Sequence, residues 1–502
     1  MKHLGKDTLH FYVATSHLPN KELRDATRWQ AFSKQVTTIT VLLCNDLVAI
    51  ALSFFMATGL RLWLDVILNQ TSVPHAYSFA TLGYMLLVWP ALLWREGLYP
   101  GYGLTAPQQL RKQVTACFYA GTLFATTTVF FYRDLPVPRG VLLLMVLLTM
   151  VLLPTMRSLS KRLLLYFKAW GSQVVVLGAG EAGQRVVKAL KLNPLEGLHP
   201  VALFDDDPQK ISKEVEGVRV VGPLENADYF AKTHNIRHVI VAIPSMSSRS
   251  LLSIIKARGK TFTSVQFVPE LGALSAEDVR TVNLDGLLAL EVRSGLYSRR
   301  KKFSKRLLDL LGSTLGGIAV SPLFLFLYVW VRLDSRGPGF YWSERVGQNG
   351  SVFQCLKFRT MYTDAEKRLE ELIASDHKNK EEYEKYHKLH DDPRITRAGR
   401  VLRKLSLDEL PQLYNVFRGD MSLVGPRPYL TREYLDMNGY AETILEAKPG
   451  ITGYWQITGR SNVTFQDRLQ MESHYVRSWS IWWDIVILFQ TVSTVLKREG
   501  AK

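Results

Sequence analysis

Long apolar runs separated by polar segments dominate the first third of the chain. A polar tail covers residues 1–33, and four apolar runs follow it: Val36–Leu60, Tyr77–Trp94, Thr115–Tyr132 and Gly140–Met156. Each run is close to the ~20 residues that an α-helix needs to cross a bilayer. The pattern therefore predicts four transmembrane helices within residues 34–168. The alternative is a buried helical bundle of a soluble protein.

The charges between these runs predict on which side of the membrane each loop lies. The loop Asn69–Ala76 has no Lys or Arg, and Tyr132–Gly140 has only Arg133 and Arg139 with Asp134 between them. The segments on the other side carry more cations: Arg95, Arg111, Lys112, Arg157, Lys161, Arg162 and Lys168. Because cytoplasmic loops are enriched in Lys and Arg, both ends of the four-helix unit are predicted to lie in the cytoplasm.

A different pattern begins near residue 172 and defines a predicted domain of residues 169–296. The buried strand Gln173–Leu177 precedes a glycine turn and a helix, and the next strand, Val201–Phe204, ends at Asp205–Asp207. A third apolar strand, His238–Ile243, follows. This order of strand, glycine turn, helix, strand and acid is typical of a dinucleotide fold. The pattern therefore predicts an α/β Rossmann-like cytoplasmic domain with a parallel sheet.

The turn of this domain contains Gly178, Gly180 and Gly183. Glycines at such a turn bind a nucleotide in some proteins, and in others they only allow close packing of helix on strand. No base, nucleophile or hydride-transfer partner lies nearby in the sequence. A bound nucleotide is therefore one hypothesis, and a regulatory or scaffolding role is the interpretation that the sequence favours.

A fifth apolar stretch, Leu307–Val331, is long enough to cross the bilayer but lacks the charge asymmetry of a crossing helix. Its flanks are basic on both sides: Arg299–Arg306 before it, Arg332 and Arg336 after it. The charge rule therefore gives this segment no outward side. Ser321 and Pro322 lie near its middle, where Pro removes a backbone donor and disfavours helix in the residue before it. We expect a re-entrant membrane hairpin over about residues 305–332, broken at this pair.

Three more segments complete the pattern. Asp309, on the first arm of the hairpin, is predicted to pair with a basic neighbour at the interface, because a lone carboxylate is costly in lipid. Residues 364–390 are predicted to form a solvated helical excursion, and Asp391–Thr396 is predicted to return the chain to the candidate site. The segment Ser478–Phe489 is predicted to be an amphipathic helix whose tryptophans lie in the membrane interface.

Composition adds a constraint on partners. The 502-residue chain has 62 Lys+Arg against 45 Asp+Glu, a net charge of +17, so an acidic partner is expected. No basic-aromatic nucleic-acid motif occurs, so an anionic membrane face with phosphorylated substrates is favoured over nucleic acid. The three cysteines have no metal-ligand spacing and no disulfide pattern.

The candidate chemistry lies in Arg403–Leu413. Pro411 requires a helix that starts just before it, and Ser406 with Glu409 three residues later reads as a capping box. Asp408 would then lie at the positive end of the helix dipole, which favours its ionised form and attracts a phosphate. Such a carboxylate can attack phosphorus and form an aspartyl-phosphate. The alternative is that Asp and Glu are ordinary first-turn residues.

Other motifs favour the chemical interpretation. They are Lys357–Met361, Gly419–Pro428, Lys448–Gln456 and Gly459–Arg460. Together with the acidic pair, they make the segment from Arg299 to Lys502 resemble the catalytic domain of the bacterial polyprenyl-phosphate hexose-1-phosphate transferases, the monotopic phosphoglycosyl transferases. The whole chain is similar to the longer members, of the galactose phosphotransferase type, which carry four membrane helices and a Rossmann-like domain ahead of a mainly α catalytic domain.

The resemblance implies a role for each candidate residue. Asp408 would be the nucleophile, and Glu409 would assist with metal or proton handling. Mg²⁺ would be held by this pair and by phosphate oxygens. Four cations are the candidate phosphate-binding residues: Lys357, Arg359, Arg403 and Arg427. Pro426 and Pro428 would hold Arg427 rigidly, since a planar guanidinium suits bidentate binding of phosphate. Arg394 and Arg400 are read as surface charges.

The resemblance also implies the partners and the location. The expected substrates are a UDP-sugar and undecaprenyl phosphate, with UDP-galactose favoured and UDP-glucose as the alternative. The catalytic domain, residues 297–502, would face the cytoplasm from the bacterial inner membrane, and a homodimer remains open.

Two rival classes are weighed against this one. A membrane-anchored nucleotide-sugar dehydratase or epimerase would need a second dinucleotide fingerprint and a Tyr-x-x-x-Lys pair after residue 300. Neither is present in a suitable setting, and the fourth residue after Tyr383 is His387. A non-catalytic polysaccharide assembly protein would not need the acidic pair and the basic motifs together.

Overall fold

A computed structural model describes residues 21–67, 79–131, 139–243, 262, 264–268, 279–284, 287–292, 299–375, 392–437, 439–458 and 463–497. The predicted tail up to residue 20, the two outward loops, Gly459–Arg460 and most of the 364–390 excursion lie outside these residues. Two compact units make up the chain, residues 1–271 and residues 272–502.

Four helices open the first unit: α1 Lys21–Ile67, α2 Phe79–Arg95, α3 Ala106–Phe131 and α4 Arg139–Tyr166. The start of α1 lies inside the predicted polar tail, because residues 21–32 are mostly good helix formers. Within the described ranges, three helices are long and apolar enough to cross a membrane: Ser33–Ile67, Gly140–Tyr166 and Lys301–Asp334. A shorter apolar helix covers Leu82–Arg95. Crossing by all four helices of this unit therefore stays a prediction.

The four helices share one apolar core, to which Ile50, Trp89, Phe124 and Met145 each contribute a buried side chain. On the outside of this core, large apolar side chains remain exposed, as Phe55 on α1 and Leu143 on α4 illustrate. A helix group with apolar side chains on both its inner and outer surfaces is typical of a membrane environment.

A buried ion pair joins α1 to α4. The guanidinium of Arg157 donates from Nε to Asp46 Oδ1 over 2.8 Å and from Nη2 to Asp46 Oδ2 over 2.5 Å. The Tyr99 hydroxyl also donates to Asp46, and Arg157 Nη1 donates to the Leu98 carbonyl over 3.2 Å. The charge pattern counts Arg157 among the cations of the cytoplasmic side, which stays a prediction. The structure adds that Arg157 is buried and that Asp46 compensates its charge inside the helix group.

The rest of the first unit is an α/β domain. Its strands are β1 Ser172–Leu177, β2 Leu198–Phe204, β3 Glu214–Val215, β4 Val218–Gly222, β5 His238–Val241 and β6 Ser264–Phe267, and its helices are α5 Glu181–Leu192 and α6 Ala227–Thr233. The six strands form one sheet in the order β3-β4-β2-β1-β5-β6, parallel except for the β3–β4 pair. The predicted parallel sheet and its three predicted strands are confirmed.

The glycine turn after β1 serves packing. A Cβ atom on Gly178, whose φ is +101°, would lie 2.5 Å from the Ala242 carbonyl, and one on Gly183 would lie 2.0 Å from the Gly178 carbonyl. Gly180 has open space around it. The N–H of Ala179, a donor that a bound phosphate would need, donates to Asp205 Oδ2 over 2.7 Å. The Ala179 N–H is thus used within the turn, and the packing interpretation of Gly178 and Gly183 is supported. A nucleotide bound to this domain stays a hypothesis.

The second unit is mainly helical, with short strands. Its elements are β7 Val279–Leu284, β8 Leu287–Val292, α7 Arg299–Asp334, β9 Phe340–Val346, β10 Val352–Phe358, α8 Ala365–Ser375, α9 Arg397–Lys404, α10 Gln412–Arg418, β11 Ser422–Val424, α11 Thr431–Tyr434, α12 Ala441–Ile444, β12 Gly450–Thr452, α13 Tyr454–Thr458, α14 Phe465–Arg477 and α15 Ile481–Lys497. Strands β7–β8 and β9–β10 are antiparallel pairs, and β11 pairs with β12 in parallel.

The predicted break at Ser321 and Pro322 does not interrupt α7, whose backbone stays helical throughout. The reason is local. Pro322 has no N–H for the carbonyl of Ile318, four residues earlier, and the Ser321 hydroxyl donates to that carbonyl instead, over 2.7 Å. Around this pair the helix is unpacked: Leu315 and Ile318 are 66% and 67% exposed.

Both ends of α7, in contrast, are tied to the same globular body. Near the start, the Arg306 guanidinium donates to the carbonyls of Val416 and Phe417 at the end of α10, over 2.7 Å each. At the other end, Asp334 accepts a hydrogen bond of 2.9 Å from the N–H of Ala398 in the first turn of α9. The helix therefore begins and ends at the two short helices that flank residues 405–411.

Asp309 has a basic neighbour, as predicted, since Lys305 Nζ lies 3.7 Å from Asp309 Oδ1. Its environment differs from the predicted interface, because Asp309 is buried and accepts hydrogen bonds from the Ser422 hydroxyl and the Leu423 N–H over 2.9 and 3.0 Å. The carboxylate thus fixes β11 to the first half of α7.

The predicted interfacial tail is only partly correct. Trp479 is 3% exposed, and its indole N–H donates to the buried carboxylate of Asp484 over 3.2 Å. Asp484 also accepts from the Tyr475 hydroxyl over 2.6 Å and pairs with Lys305 over 2.6 Å. This tryptophan is therefore a core residue, because its N–H has a buried partner in α15.

Candidate active site

The hairpin β9–β10 carries the first part of the site. Its antiparallel register places Lys357 opposite Tyr341, Cys355 opposite Ser343 and Phe353 opposite Arg345. Because opposed residues share a face and alternate residues along a strand do too, Lys357 and Arg345 lie on the same face of the hairpin.

The acidic pair lies on a turn held beside β10. Asn415 of α10 accepts a hydrogen bond from the Leu356 N–H over 2.9 Å and donates to the Gln354 carbonyl over 2.7 Å. This one side chain satisfies a backbone N–H and a carbonyl at the free edge of β10. It therefore fixes the start of α10, and the turn before it, against the strand that carries Lys357.

The local structure of the acidic pair differs from the prediction. Asp408 and Glu409 lie in a short 3₁₀ turn, Leu407–Glu409, and α10 begins only after Pro411. Ser406 makes no capping hydrogen bond, since it adopts the left-handed conformation with φ +55°. The predicted capping box is therefore wrong, and Asp408 precedes the α-helix rather than lying in its first turn.

The pKa of Asp408 is set by its burial and by the charged side chains around the turn. Burial raises the pKa of Asp408 to about 6, Glu409 adds to that increase, and Lys357 and Arg403 oppose it. Lys357 Nζ lies 2.7 Å from Glu409 Oε1. Removal of the carboxyl group from water therefore outweighs the neighbouring positive charges in setting its pKa, and a value of about 6 leaves Asp408 mostly ionised at neutral pH.

Arg403 connects the turn to a second ion pair. Its Nε donates to the Thr360 hydroxyl over 2.9 Å. Asp392 and Arg394 form a bidentate pair with distances of 2.8 and 2.6 Å, and this pair lies close enough to Arg403 to affect its pKa. Arg394 is therefore not a free surface charge. Arg400, in contrast, is exposed, as predicted.

The segment Asp391–Thr396 returns to the strand that carries Lys357, as predicted. Tyr362 N–H donates to the Arg394 carbonyl, and Thr396 N–H donates to the Thr360 carbonyl, each over 3.0 Å. These bonds bring α9, and with it Arg403, next to the end of β10.

The loop Gly425–Pro428 is held rigidly from several sides. The Pro426 carbonyl accepts from Gly450 N–H over 2.7 Å, and Glu472 Oε1 accepts from Arg427 N–H over 2.9 Å. A Cβ atom on Gly450 would lie 2.1 Å from the Gly425 nitrogen. The motif Lys448–Gln456 therefore acts through close backbone packing against the loop that presents Arg427.

Glu472 is a residue that the sequence analysis missed. It is 1% exposed, and Oε2 accepts a hydrogen bond of 2.5 Å from the Tyr429 hydroxyl. Burial raises the pKa of Glu472 to about 7, and the hydrogen bonds from Tyr429 and Arg427 oppose the increase. In sequence it is one polar residue within the amphipathic helix α14, so no motif marks it.

Arg359 lies elsewhere. Its guanidinium donates to the Arg336 carbonyl over 2.8 Å, and to the Ser335 carbonyl and hydroxyl over 2.7 and 2.8 Å. It is 6% exposed. These bonds hold the chain that leaves α7, so Arg359 has a supporting role, and its predicted contact with phosphate stays a prediction.

The fit to Mg²⁺ is limited to the acidic pair. No group of three or more His, Cys, Asp or Glu side chains that could hold a metal occurs among the described residues. Mg²⁺ accepts one or two carboxylates when substrate phosphates supply further oxygens. Asp408 and Glu409 therefore fit an ion that binds together with a phosphorylated substrate.

Comparison with known proteins adds the family context. The family described as bacterial sugar transferase matches residues 300–498, and the family described as a CoA-binding domain matches residues 96–269. The chain is 36% identical over 390 residues to a UDP-galactose-lipid carrier transferase of Erwinia amylovora, covering 76% of this chain and 81% of that protein.

Two further relatives carry different sugars in their names. An undecaprenyl-phosphate galactose phosphotransferase of Salmonella typhimurium is 35% identical over 354 residues, covering 70% of this chain and 74% of that protein. An undecaprenyl-phosphate glucose phosphotransferase of Komagataeibacter xylinus is 32% identical over 342 residues, covering 65% of this chain and 59% of that protein.

The apolar helices and these relatives define the class as a membrane-associated sugar-phosphate transferase. More closely, the chain belongs to the bacterial sugar transferase family and is a polyprenyl-phosphate sugar-1-phosphate transferase. This membership excludes the two rival classes considered from the sequence.

Proposed function

We propose that the protein transfers a hexose 1-phosphate from a UDP-sugar to undecaprenyl phosphate through an intermediate on Asp408. A carboxylate oxygen of Asp408 attacks the β-phosphorus, the bond from that phosphorus to the bridging oxygen breaks, and UMP leaves with the oxygen. An oxygen of undecaprenyl phosphate then attacks the same phosphorus. The phosphorus–aspartyl bond breaks, which releases undecaprenyl-diphospho-hexose and restores the carboxylate.

The observation that carries this proposal is the presence of two cations near Asp408. Lys357 and Arg403 both act on its carboxyl group, and the turn that bears it is fixed to β10. Because both steps increase negative charge on the phosphoryl oxygens, positive side chains beside the nucleophile stabilise both transition states. Glu409 holds Lys357 in place. Mg²⁺, when bound at the acidic pair, would neutralise charge on the phosphates.

The contacts of α7 support a re-entrant position in the membrane. Both ends of the helix contact the globular body that carries Asp408, and its unpacked middle exposes large apolar side chains. We infer that the helix enters and leaves the cytoplasmic leaflet of the bacterial inner membrane. Asp408 would then lie on the cytoplasmic side, at the depth of the lipid phosphate.

We further propose galactose as the sugar, with glucose as the alternative. Two relatives with galactose in their names are 36% and 35% identical to this chain, and the one with glucose is 32% identical. A competition between UDP-galactose and UDP-glucose tests the choice, and a preference for glucose would reverse it. The product would enter O-antigen, capsule or exopolysaccharide synthesis.

Isotope exchange tests the intermediate. With no undecaprenyl phosphate present, the enzyme should exchange labelled UMP into UDP-galactose, and a phosphosugar adduct should appear on Asp408 by mass spectrometry. Asp408→Asn should abolish exchange, adduct and transfer while the protein remains folded, because the amide has similar shape but is not a nucleophile. Transfer without exchange or adduct would establish direct transfer in a ternary complex instead.

A further inference from the structure

Arg345 is a further cation beside the site, and it lies outside the motifs identified in the sequence. It is half-buried on β9, on the same hairpin face as Lys357. Its Nη1 donates to the Pro428 carbonyl over 3.3 Å, and its Nε donates to the Ser343 hydroxyl over 3.2 Å. Next to it, Val346 N–H donates to the Tyr429 carbonyl over 2.9 Å. These bonds join β9 to the loop that presents Arg427.

In the described part of the chain, two cations of this region have no carboxylate in direct contact. Among the described residues, neither Arg345 nor Arg427 forms an ion pair with a carboxylate within 4 Å, whereas Lys357 is paired with Glu409. Through its bond to the Pro428 carbonyl, Arg345 lies beside the residue that follows Arg427. Burial and repulsion from Arg427 lower the pKa of Arg345, and Glu433 and Glu409 oppose the decrease. A half-buried pair of like charges is stabilised when an anion binds between them.

The cations divide into two groups along the hairpin. Lys357 and Arg403 act on Asp408, whereas Arg345 is four residues beyond the position opposite Lys357, about 13 Å along the strand. Glu409, which is paired with Lys357 over 2.7 Å, raises the pKa of Arg345 as well as that of Asp408. Because Lys357 and Arg345 are long side chains on one face of the hairpin, their charged ends can approach the two phosphates of one diphosphate, Lys357 at the nucleophile and Arg345 further away.

We propose that Arg345 and Arg427 form a second phosphate subsite, which holds the phosphate that stays with UMP while the other phosphate is transferred to Asp408. This assignment rests on the proposed function. It predicts that Arg345 contributes to binding UDP-sugar and UMP and to expelling UMP. It also predicts little contribution to the second step, because undecaprenyl phosphate attacks after UMP has left.

The experiment separates the two half-reactions. The phosphosugar enzyme is formed with UDP-galactose, freed of UMP, and then mixed with undecaprenyl phosphate in a single turnover. Arg345→Met should raise the KM for UDP-galactose and the inhibition constant for UMP about tenfold or more, the scale of a lost charge-assisted hydrogen bond. The single-turnover rate of the second step should change less than twofold, and Arg345→Lys should recover part of the UMP affinity.

Ser343→Ala is the matched control, because it removes a hydrogen-bond partner of Arg345 and keeps the cation. It should leave UMP inhibition within about twofold of wild type. If Arg345→Met slows both steps equally, or if its UMP inhibition is unchanged, Arg345 only supports the loop and the subsite proposal is wrong. Thermal melting shows whether Arg345→Met has a folding defect. If it has, UMP inhibition of Arg345→Lys is the test of the subsite, and an affinity as low as that of Arg345→Met would contradict the proposal. Absence of UMP exchange in wild type would instead overturn the covalent route itself.

Discussion

The Nζ atom of Lys357 lies 2.7 Å from the Oε1 atom of Glu409, so the cation and the carboxylate proposed to act beside Asp408 are paired with each other. Both side chains are partly exposed, 22% for Lys357 and 33% for Glu409, so a phosphate can reach the ammonium group. The pair therefore holds Lys357 toward Asp408 before substrate binds, and a phosphate oxygen competes with Glu409 for the same cation.

Removal of this cation should weaken catalysis strongly. We expect Lys357→Met to lower kcat/KM for the UDP-sugar by about 100-fold or more, the scale observed when one charged or hydrogen-bonding group for transition-state oxygens is lost. The measurement is steady-state transfer to undecaprenyl phosphate. Lys404→Met, which removes an exposed cation from the end of α9, is the matched control and should stay within twofold. Equal effects of the two variants would contradict a local role for Lys357.

The contacts of Arg359 lead to an opposite prediction. Arg359→Met should destabilise the protein by about 1–3 kcal/mol, because the carbonyls of Ser335 and Arg336 lose a charged donor in a buried place. Thermal unfolding in detergent measures this change. The KM of the folded fraction for UDP-sugar should change less than threefold. A tenfold increase in KM at unchanged stability would restore the phosphate-binding role that the sequence predicts.

Arg359 and Arg345 illustrate which parts of the site can be predicted from the sequence. Linear motifs identified Lys357 and the acidic pair, because their spacing is typical of one family. Both Arg359 and Lys357 belong to the same motif, so the motif alone could not show that their side chains have different neighbours. Those neighbours depend on tertiary packing. Arg345 could be assigned to the site only once the register of β9 on β10 was known, because that pairing places it on the same face as Lys357.

Among the helices, too, some features could be predicted from the sequence and others depended on tertiary contacts. Apolar run lengths predicted the four helices that open the first unit and the apolar part of α7, because burial of apolar surface determines them. The continuity of α7 at Pro322 was not predictable from propensity, since it depends on the Ser321 hydroxyl reaching one carbonyl. Likewise, the Asp46–Arg157 pair depends on which faces of α1 and α4 meet.

Glu472 should make stability depend on pH. Its pKa is about 7 in the folded protein, above the 4.5 of an exposed glutamate, so between pH 4.5 and 7 the folded state holds a proton that the unfolded chain has released. Stability should therefore fall as pH rises through this interval, by up to about 3 kcal/mol from this group, and level off above it.

The check is the unfolding midpoint at pH 5 and pH 8. Wild type should lose more stability between these values than Glu472→Gln, because glutamine has no proton to release. Glu442→Gln replaces an exposed carboxylate and should follow wild type. A pH dependence that is the same in all three proteins would show that Glu472 does not titrate in this range.

The last prediction concerns the path of α7 through the membrane. From Phe303 to Leu333, a straight helix would measure about 45 Å, more than the ~30 Å of a hydrocarbon core, so a crossing would place the two residues on opposite sides. The contacts argue against this. Arg306 and Asp334 hold opposite ends of α7 to α10 and α9, which flank Asp408 in the same globular unit. A polar body cannot lie on both sides of a bilayer, so both ends should face the cytoplasm.

Phe303 and Leu333 are suitable labelling positions because they are 70% and 81% exposed, whereas Ser335 is buried beneath Arg359. In a Cys44→Ser background, Phe303→Cys and Leu333→Cys should both resist an impermeant thiol reagent added to intact cells and react after the membrane is opened. Ser72→Cys, in the loop predicted to lie outside, is the positive control and should react in intact cells. Labelling of Leu333→Cys but not Phe303→Cys from outside would mean that α7 crosses the bilayer, which would place the cytoplasmic UDP-sugar and the lipid phosphate on different sides of the proposed site.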